Sequence, residues 1–473
     1  MAWETIIGLE VHVQLGTASK MFCACSTAFG DPPNSNVCPV CLGLPGALPV
    51  PNAQAIRLAV RGALALGGGV AERSVFARKN YFYPDLPKGY QISQYDRPLS
   101  TGGYVAVESA ERGTVQVRIE RLHVEEDAGK SLHDRIPGRT AVDLNRAGVP
   151  LAEIVSGPDL RSPAEARAYL VTLRQLLVYA GVSECSMEKG SLRVDANISL
   201  RPLGQDRLGT KTEIKNLNSF ANVERALEAE RMRQQSLLER GEKVSQVTLL
   251  FNAATGQVRP MRSKEESHDY RYFPDPDLPP LVLTREWIES VRGELPELPA
   301  AKRTRLAGLG LTSYDASVLA SEQVIADYFE AVVAAGAPPK TAANWILGEG
   351  MTGYNERGSF SVAPATLVEL IRLIDQGVVS HQAAKKVFLE LAANGGGPRA
   401  VAERLGLLQV SDVGELERLV DQVLAANPKE VERYRGGETK LLGFLTGQIM
   451  KQSGGKADPK GVQPVLKRKL EGV

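Results

Sequence analysis

The stretch IIGLEVHVQL, residues 6–15, alternates strictly between apolar and polar side chains. In an extended strand this pattern places Ile7, Leu9, Val11 and Val13 on one face and Gly8, Glu10, His12 and Gln14 on the other. Side chains two positions apart on one face stand about 6.6–6.8 Å apart, so Glu10 and His12 could converge on one ion or ligand. A solvated sheet face is the simpler interpretation of this segment taken alone.

Similar alternation recurs further along the chain, in residues 114–122, 140–146, 192–200 and 210–217. Two helices are also well marked, at 162–182 and 220–241. The first begins with Ser162 as N-cap, Pro163 at the first position and Glu165 placed for a capping box. Strands and helices mix without regular βαβ alternation, so the sequence predicts an α+β fold for residues 1–294. From residue 295 helical periodicity dominates, and the glycines of NGGGPRAV, residues 394–401, suggest a further hinge.

Composition sets broad limits on function. The chain has 473 residues and a net charge of +1, so no global field attracts nucleic acid. The last 45 residues are more basic, with ten Lys or Arg against five Asp or Glu, and contain the run LKRKL near their end. This run is either a solvated helical face or a contact for nucleic acid. The sequence has neither an apolar run long enough to cross a bilayer nor a recognisable signal peptide, so we expect a cytoplasmic protein without a membrane partner.

Four of the five cysteines crowd into nineteen residues, as FCAC followed by CPVC. In a reducing compartment such pairs indicate a structural zinc site rather than disulfides, and a redox CxxC motif is the lesser alternative. The predicted ligands are Cys23, Cys25, Cys38 and Cys41. The remaining cysteine, Cys185, is expected to be an inert, partly buried thiol.

Two segments approach nucleotide-binding motifs without completing them. GEGMTG, residues 348–353, fits GxGxxG but follows a helical pattern, so we predict a helix-ending turn there. DAGKS, residues 127–131, ends like a Walker A loop, but Val124 stands where that loop needs its first glycine. Any ATP chemistry in this chain must therefore use another kind of site.

Carboxylates recur on the polar sides of the predicted strands, beside Asn, His or basic residues. In one sheet they would form an acidic patch with basic edges, which suits Mg²⁺ and phosphate oxygens. A strand of this kind taken singly is more often a wet sheet face, and it is the recurrence that favours a site. The residues concerned are His123, Glu125, Glu126, Asp127, Asp143, Asn145, Glu153, Arg193, Asp195, Asn197, Lys211, Glu213 and Lys215.

Aromatic and basic residues also interleave in two stretches, 76–96 and 268–280. In the first, Lys79 and Lys88 could contact phosphate, and Tyr81 could stack on a base. Packing of the loops by their own aromatic rings is the ordinary alternative.

Seven motifs, occurring in one order through nearly the whole chain, resemble the B subunits of bacterial heterotrimeric aspartyl/glutamyl-tRNA amidotransferases. They are GLEVHVQL, KNYFYPDLPKGYQISQYD, RLHVEEDAGKS, VDLNRAGVPLAEIVS, GSLRVDANISL, TKTEIKNLNSF and HDYRYFPDPDL. The resemblance implies a cradle-like catalytic domain at 1–294, an all-α helical domain at 295–406 and a small helical tail at 407–473 that meets tRNA.

The resemblance also implies a reaction. ATP phosphorylates the side-chain carboxylate of Glu or Asp misacylated on tRNA(Gln) or tRNA(Asn), and ammonia then displaces phosphate to give the amide. A separate glutaminase A subunit supplies the ammonia, and the pair is held together by a small C subunit. A non-discriminating aminoacyl-tRNA synthetase is a further expected partner. The sequence leaves open whether Asp-tRNA, Glu-tRNA or both are substrates.

Site roles follow from the resemblance, position by position. It implies Mg²⁺ ligands at His12, Glu125 and Glu153 with Glu10 adjoining, to which we add Asp195 and Glu213 as a second set. Glu125, Lys79 and Glu10 are the expected catalytic residues. Contacts to phosphate or substrate are expected from Lys79, Lys88, Tyr81, Arg193, Lys211 and Lys215. Imidazole usually suits softer metals than Mg²⁺, so His12 could act through water or the site could accept Mn²⁺.

A different class of function competes with this one. The cysteine cluster and the basic tail would equally suit a non-catalytic, zinc-stabilised tRNA-binding scaffold. A scaffold predicts salt-sensitive RNA binding without tRNA-dependent ATP hydrolysis. The many carboxylates on the strand faces favour the enzyme.

Overall fold

A computed structural model describes residues 2–261, 269–409, 413–453, 457 and 459–471. The chain divides into two compact units, Met1–Pro299 and Ala300–Val473. The first is rich in sheet and the second is helical, which confirms the predicted α+β class with a helical C-terminal region. The predicted limits at 294 and 406 remain predictions.

The strands of the described residues are numbered in chain order. They are β1 (Trp3–Gln14), β2 (Gly69–Val70), β3 (Arg73–Ser74), β4 (Ala77–Asn80), β5 (Tyr90–Ser93), β6 (Ser100–Thr101), β7 (Tyr104–Ser109), β8 (Gly113–Glu126), β9 (Lys130–Ile136), β10 (Arg139–Asp143), β11 (Pro150–Ser156), β12 (Leu192–Pro202), β13 (Thr212–Leu217), β14 (Thr248–Asn252), β15 (Gln257–Pro260), β16 (Phe273–Pro274) and β17 (Leu281–Val282).

The helices are numbered in the same way. They are α1 (Ala53–Ala65), α2 (Pro163–Tyr179), α3 (Phe220–Glu239), α4 (Arg285–Gly293), α5 (Pro299–Gly308), α6 (Ser313–Leu319), α7 (Gln323–Ala334), α8 (Pro339–Trp345), α9 (Met351–Arg357), α10 (Pro364–Asp375), α11 (His381–Asn394), α12 (Pro398–Arg404), α13 (Val413–Ala426), α14 (Pro428–Arg435), α15 (Leu441–Gln452) and α16 (Pro459–Glu471), with a π-helical turn at Ile346–Gly350. No helix in the described parts of the chain combines the length and apolar character that a membrane span requires.

One large sheet organises the first unit. Its strand order is β15-β14-β13-β12-β1-β11-β8-β6-β2, and β7 pairs with the outer part of β8. Neighbouring strands are antiparallel except for β13 and β14. The opening stretch of the sequence thus lies in the middle of the sheet, paired along both edges.

The apolar side of β1 is the centre of the core. Ile7, Leu9, Val11 and Val13 are at most 1% exposed. They belong to one apolar cluster with side chains of α1, α2 and α3, including Leu173 on α2. Because these helices cover one face of the sheet, the polar residues that alternate with the core residues lie on the opposite face.

Helix α2 shows how closely local signals predict an element. Ser162 caps it, its hydroxyl accepting a hydrogen bond of 3.1 Å from the Glu165 amide, and Pro163 is the first helical residue. The capping box is not completed as predicted. Glu165 is buried and instead accepts the Arg161 amide at 2.7 Å, together with hydrogen bonds from Ser109 and Arg112. Tertiary partners on neighbouring segments therefore redirect this carboxylate.

The second unit contains two separate apolar clusters. One runs from Leu306 to Ala402, and the other, between α13 and α16, runs from Leu416 to Leu470. The prediction of a helix-ending turn at residues 348–353 is wrong. This segment lies in the π-helical turn and the start of α9, because the helical hydrogen bonding continues through its glycines.

Candidate active site

The polar face of the sheet gathers charged side chains from β13, β12, β1, β11 and β8. Strand pairing sets His12 opposite both Arg193 and Glu153, and Glu153 opposite His123. Two positions before His12 on β1, Glu10 lies opposite Asp195 on β12. The predicted segments in β8, β11, β12 and β13 therefore share one face with β1, as the alternation indicated. Asp143 and Asn145 do not join them, because Asp143 ends β10, which pairs with β9 in a separate sheet, and the two side chains accept hydrogen bonds from the amides of Asn34 and Asn36.

Three of the predicted metal ligands meet at one point. His12 Nε2 lies 3.4 Å from Glu153 Oε2 and 3.9 Å from Glu125 Oε1. Ligand atoms of all three residues lie within 4.8 Å of one another, a spacing that one divalent ion could bridge. Both carboxylates are buried, Glu125 at 3% exposure and Glu153 at 6%, where unpaired negative charge would be costly.

His123 is a site residue that the sequence pattern did not single out as a ligand. Its Nε2 lies 3.4 Å from Glu153 Oε2 and 3.6 Å from Glu125 Oε2. Its Nδ1 is buried and has no hydrogen-bond partner among the described protein atoms. The signal that could have identified it is its position in RLHVEED, two residues before Glu125 on the same strand face.

Charge interactions within the His–Glu cluster lower the pKa values of its carboxyl groups and raise that of His123. Burial would raise the pKa of Glu153, but hydrogen bonds and charge from His12 and His123 hold it well below its usual range. Burial would likewise raise the pKa of Glu125, and His123 lowers it instead. Burial opposes charge on His123, yet its contacts with Glu125 and Glu153 raise its pKa to about 9.

Glu10 is the exception among the carboxylates. Burial and the adjacent charge of Glu153 raise the pKa of Glu10 to about 7. Two neighbouring carboxyl groups with separated pKa values are typical of acid–base chemistry, in which one group stays ionised and the other holds a proton near neutrality.

Several predicted substrate-binding cations are engaged with nearby carboxylates. Arg193 donates to Asp127 Oδ1 at 2.9 Å, and Lys88, with its side chain 8% exposed, pairs with Glu126. Lys215 Nζ lies 2.6 Å from Asp195 Oδ2 and 3.1 Å from Glu213 Oε1. The predicted second ligand set, Asp195 and Glu213, is therefore paired with Lys215, a predicted phosphate contact.

Lys79 is placed differently, among aromatic rings. Its Nζ lies 4.9 Å from the ring centroid of Tyr270 and 5.8 Å from that of Tyr81. Burial raises the pKa of Tyr81, and the charges of Glu125 and Glu126 contribute to that rise. The second aromatic stretch therefore packs against the first, although His268 lies outside the described residues.

A pocket of about 370 Å³ opens beside Glu10. Gly8 and Asn197 line it from the two paired strands, and Arg121 and Lys211 add positive charge. Arg121 also reaches Glu153 Oε1 at 3.6 Å, which connects the pocket to the His–Glu cluster. Of the predicted phosphate-binding residues, Lys211 is the one that lines this pocket, and its side chain is exposed.

The four clustered cysteines form a second centre. They are unbonded thiols whose sulfurs lie within 4.8 Å of one another, with Cys38 and Cys41 Sγ 3.9 Å apart. A tetrahedral zinc site with Zn–S bonds of about 2.3 Å places its sulfurs about 3.8 Å apart, so the spacing fits a structural metal. A hydrogen bond from Cys23 lowers the pKa of Cys41 to about 4, and the charge of Lys20 acts in the same direction.

Comparison with known proteins extends over the whole chain. The family described as "GatB/GatE catalytic domain" matches residues 5–289, and the family described as "GatB domain" matches residues 327–470. Three relatives, each named as the B subunit of an aspartyl/glutamyl-tRNA(Asn/Gln) amidotransferase, are similar over nearly their full lengths. The proteins of Geobacter sulfurreducens and Chlorobium luteolum are each 52% identical, with 100% of both chains covered. That of Moorella thermoacetica is 53% identical, over 99% of this chain and 100% of its own.

The resemblance inferred from the seven motifs is thereby confirmed. The relatives' names describe one subunit of a larger enzyme, which implies partner subunits for this chain as well. The chain belongs to the family of B subunits of the tRNA-dependent aspartyl/glutamyl-tRNA(Asn/Gln) amidotransferases.

Proposed function

We propose that this chain activates the side-chain carboxylate of Glu-tRNA(Gln), Asp-tRNA(Asn) or both with ATP, and then joins it to ammonia. A carboxylate resists ammonia because its leaving group would be oxide, whereas an acyl phosphate releases phosphate. The observation that carries the proposal is the convergence of His12, Glu125 and Glu153 from three adjacent strands beside a cationic pocket.

His12, Glu125 and Glu153 would hold a divalent ion, which we propose is Mg²⁺, with Mn²⁺ as the alternative. Two buried carboxylates and one imidazole fit such an ion, and His123 would orient both carboxylates from behind. When bound, the ion neutralises charge on the phosphate oxygens during phosphoryl transfer. We place the phosphates in the pocket beside Glu10, with Arg121 and Lys211 as cationic contacts.

The remaining residues would serve the second half of the reaction. Glu125 and Glu10 would take a proton as ammonia becomes an amide. Lys79, held among Tyr81 and Tyr270, would position the substrate carboxylate or phosphate. Arg193, Lys88 and Lys215 would act mainly by fixing Asp127, Glu126 and Asp195.

The proposed assembly contains three kinds of partner. A glutaminase A subunit would release ammonia, a small C subunit would hold the pair together, and the misacylated tRNA would bind with help from the tail. A non-discriminating synthetase would supply that tRNA. Zinc is the metal proposed for the four cysteines, where it would stabilise the fold.

Reconstitution with the A and C partners tests the function directly. With ATP, Mg²⁺ and glutamine, the trimer should convert Glu-tRNA(Gln) or Asp-tRNA(Asn) to the amide, with ATP hydrolysis that depends on the misacylated tRNA. Glu125→Gln should abolish the product while tRNA binding persists. Glu120→Gln, an exposed change on the same strand, is the matched control and should retain activity.

The rival scaffold function predicts a different result from the same experiment. A zinc-stabilised tRNA-binding protein without catalysis would bind tRNA in a salt-sensitive way, but no ATP hydrolysis that depends on the misacylated tRNA would be seen, either with the wild-type chain or with Glu125→Gln. Full activity in that variant would refute the proposed site.

A further inference from the structure

Lys20 is a fully buried lysine next to the cysteine centre, at 0% exposure. A charged ammonium removed from water needs compensating charge or hydrogen bonds. Its Nζ donates to the carbonyl oxygen of Asn36 at 2.7 Å and of Leu144 at 3.3 Å, and lies 3.6 Å from Cys41 Sγ. Three acceptors therefore match its three N–H groups.

The only one of these acceptors that can carry a full negative charge is the Cys41 sulfur. Among the described residues Lys20 Nζ has these three partners, and none of them is a carboxylate oxygen. Four thiolates around a divalent ion carry a net charge of −2, and such a charge at a half-buried centre is unfavourable without a cation nearby. Each group thus meets an electrostatic need of the other.

We propose that Lys20 is the buried counter-cation of the tetrathiolate centre and ties that centre to the catalytic face. The inference rests on the proposed metal role of the four cysteines. The N–H···S contact stabilises the Cys41 thiolate, and the two carbonyl contacts join the cysteine loop, through Asn36, to the segment that leads into β11, through Leu144.

The segment after Leu144 carries this link to the catalytic carboxylates. The Gly148 amide donates to the Asp127 carbonyl, and the Asp127 amide donates to the Val149 carbonyl, each at 2.8 Å. This joins the start of β11, which bears Glu153, to the end of β8, which bears Glu125. A second contact joins the cysteine loop to the same region. Gly43, at φ +68°, packs so closely on Lys88 that a Cβ at position 43 would overlap the Lys88 side chain, and Lys88 pairs with Glu126 at the end of β8.

Metal affinity of the full chain tests the counter-cation role. In Lys20→Met, which keeps an unbranched side chain as far as Cε and removes the ammonium group, affinity for zinc should fall about tenfold or more in competition with a chromophoric chelator. With Co²⁺ in place of zinc, the thiolate-to-metal charge-transfer band should shift in energy. Lys189→Met, at an exposed lysine paired with Glu184, is the matched control and should behave as wild type.

A labelling experiment on the wild-type chain covers the case in which Lys20→Met does not fold. Acetic anhydride followed by mass spectrometry should show Lys20 protected in the zinc-loaded protein and labelled after the zinc is removed by a chelator. Lys189 should be labelled equally in both states.

The outcomes separate the two levels of the inference. A wild-type chain that binds Co²⁺ without a thiolate charge-transfer band would overturn the metal centre itself, and the counter-cation role with it. A normal band with unchanged zinc affinity in folded Lys20→Met would overturn the role of Lys20 alone. Labelling of Lys20 in the zinc-loaded protein to the same extent as Lys189 would do the same, because the ammonium would then not be held against the Cys41 sulfur.

Discussion

His12 on β1 lies directly opposite Glu153 on β11, and its Nε2 is 3.4 Å from Glu153 Oε2. The two residues are far apart in the sequence, and the antiparallel pairing of their strands brings them together. Glu153 also meets His123 on its other side, so one buried carboxylate is shared by two imidazoles.

The shared carboxylate gives the first prediction. Glu153→Gln should weaken Mn²⁺ binding and lower tRNA-dependent ATP hydrolysis by at least about tenfold, because a neutral amide replaces a charged ligand. Mn²⁺ binding can be followed by electron paramagnetic resonance of the free ion. Unchanged Mn²⁺ affinity in a folded variant would argue against the His12–Glu125–Glu153 site.

His123 should matter although the sequence pattern did not single it out as a ligand. His123→Gln removes the group whose Nε2 faces Glu125 and Glu153, and such orienting partners typically contribute about 10–100-fold to metal affinity or activity. His133→Gln, at an exposed histidine beside Thr140, is the control and should keep wild-type kinetics. Equal activity of the two variants would contradict an orienting role.

The core side of β1 predicts a stability effect. Leu9→Ala should cost about 2–5 kcal/mol, because Leu9 is 1% exposed at the centre of the sheet. Hydrogen exchange at β1 amides should accelerate correspondingly. Leu250→Ala, at a leucine 41% exposed on β14, should change exchange in β1 little.

Asp159 predicts a pH dependence away from the metal site. Burial would raise its pKa, but hydrogen bonds from the Arg118 side chain and amide lower it below the ordinary value of 3.8. Because the folded-state pKa is depressed, the contribution to stability is present above pH 3.8 and is lost as pH falls through the folded-state value. Arg118 is largely exposed, so the contribution is about 1 kcal/mol.

The measurement compares Asp159→Asn with wild type across that pH range. The variant should be less stable in denaturant at pH 7, and the difference should shrink as the pH falls below 3.8. A difference that persists unchanged at low pH would show that packing, rather than charge, makes the contribution.

Thiol reactivity separates Cys185 from the four clustered cysteines. Cys185 is 1% exposed, and its burial raises its pKa to about 11. Iodoacetamide at pH 8 should therefore not label Cys185 in the native protein. Removal of metal should expose Cys23, Cys25 and Cys38 to labelling, while Cys185 stays protected. Mass spectrometry of the peptides reads both results, and early labelling of Cys185 would contradict its burial.

Much of the fold could be predicted because its signals are local. The alternation in residues 6–15 predicts which side of β1 is buried, and Ser162 with Pro163 predicts where α2 begins. The spacing of the cysteines likewise predicts that their sulfurs can meet. At residues 348–353 the same kind of reasoning failed, because glycines that usually end helices are accommodated in a π-helical turn.

The amino-acid sequence by itself determined which side chains face the core, which face outward and which cysteines can share an ion. Only the tertiary structure decided that His12 pairs with Glu153, that Lys88 is engaged with Glu126 and that Lys20 is buried against Cys41. The physical reason is that periodicity is a property of each strand alone, whereas register between distant strands and the burial of a charge depend on the packing of the whole unit.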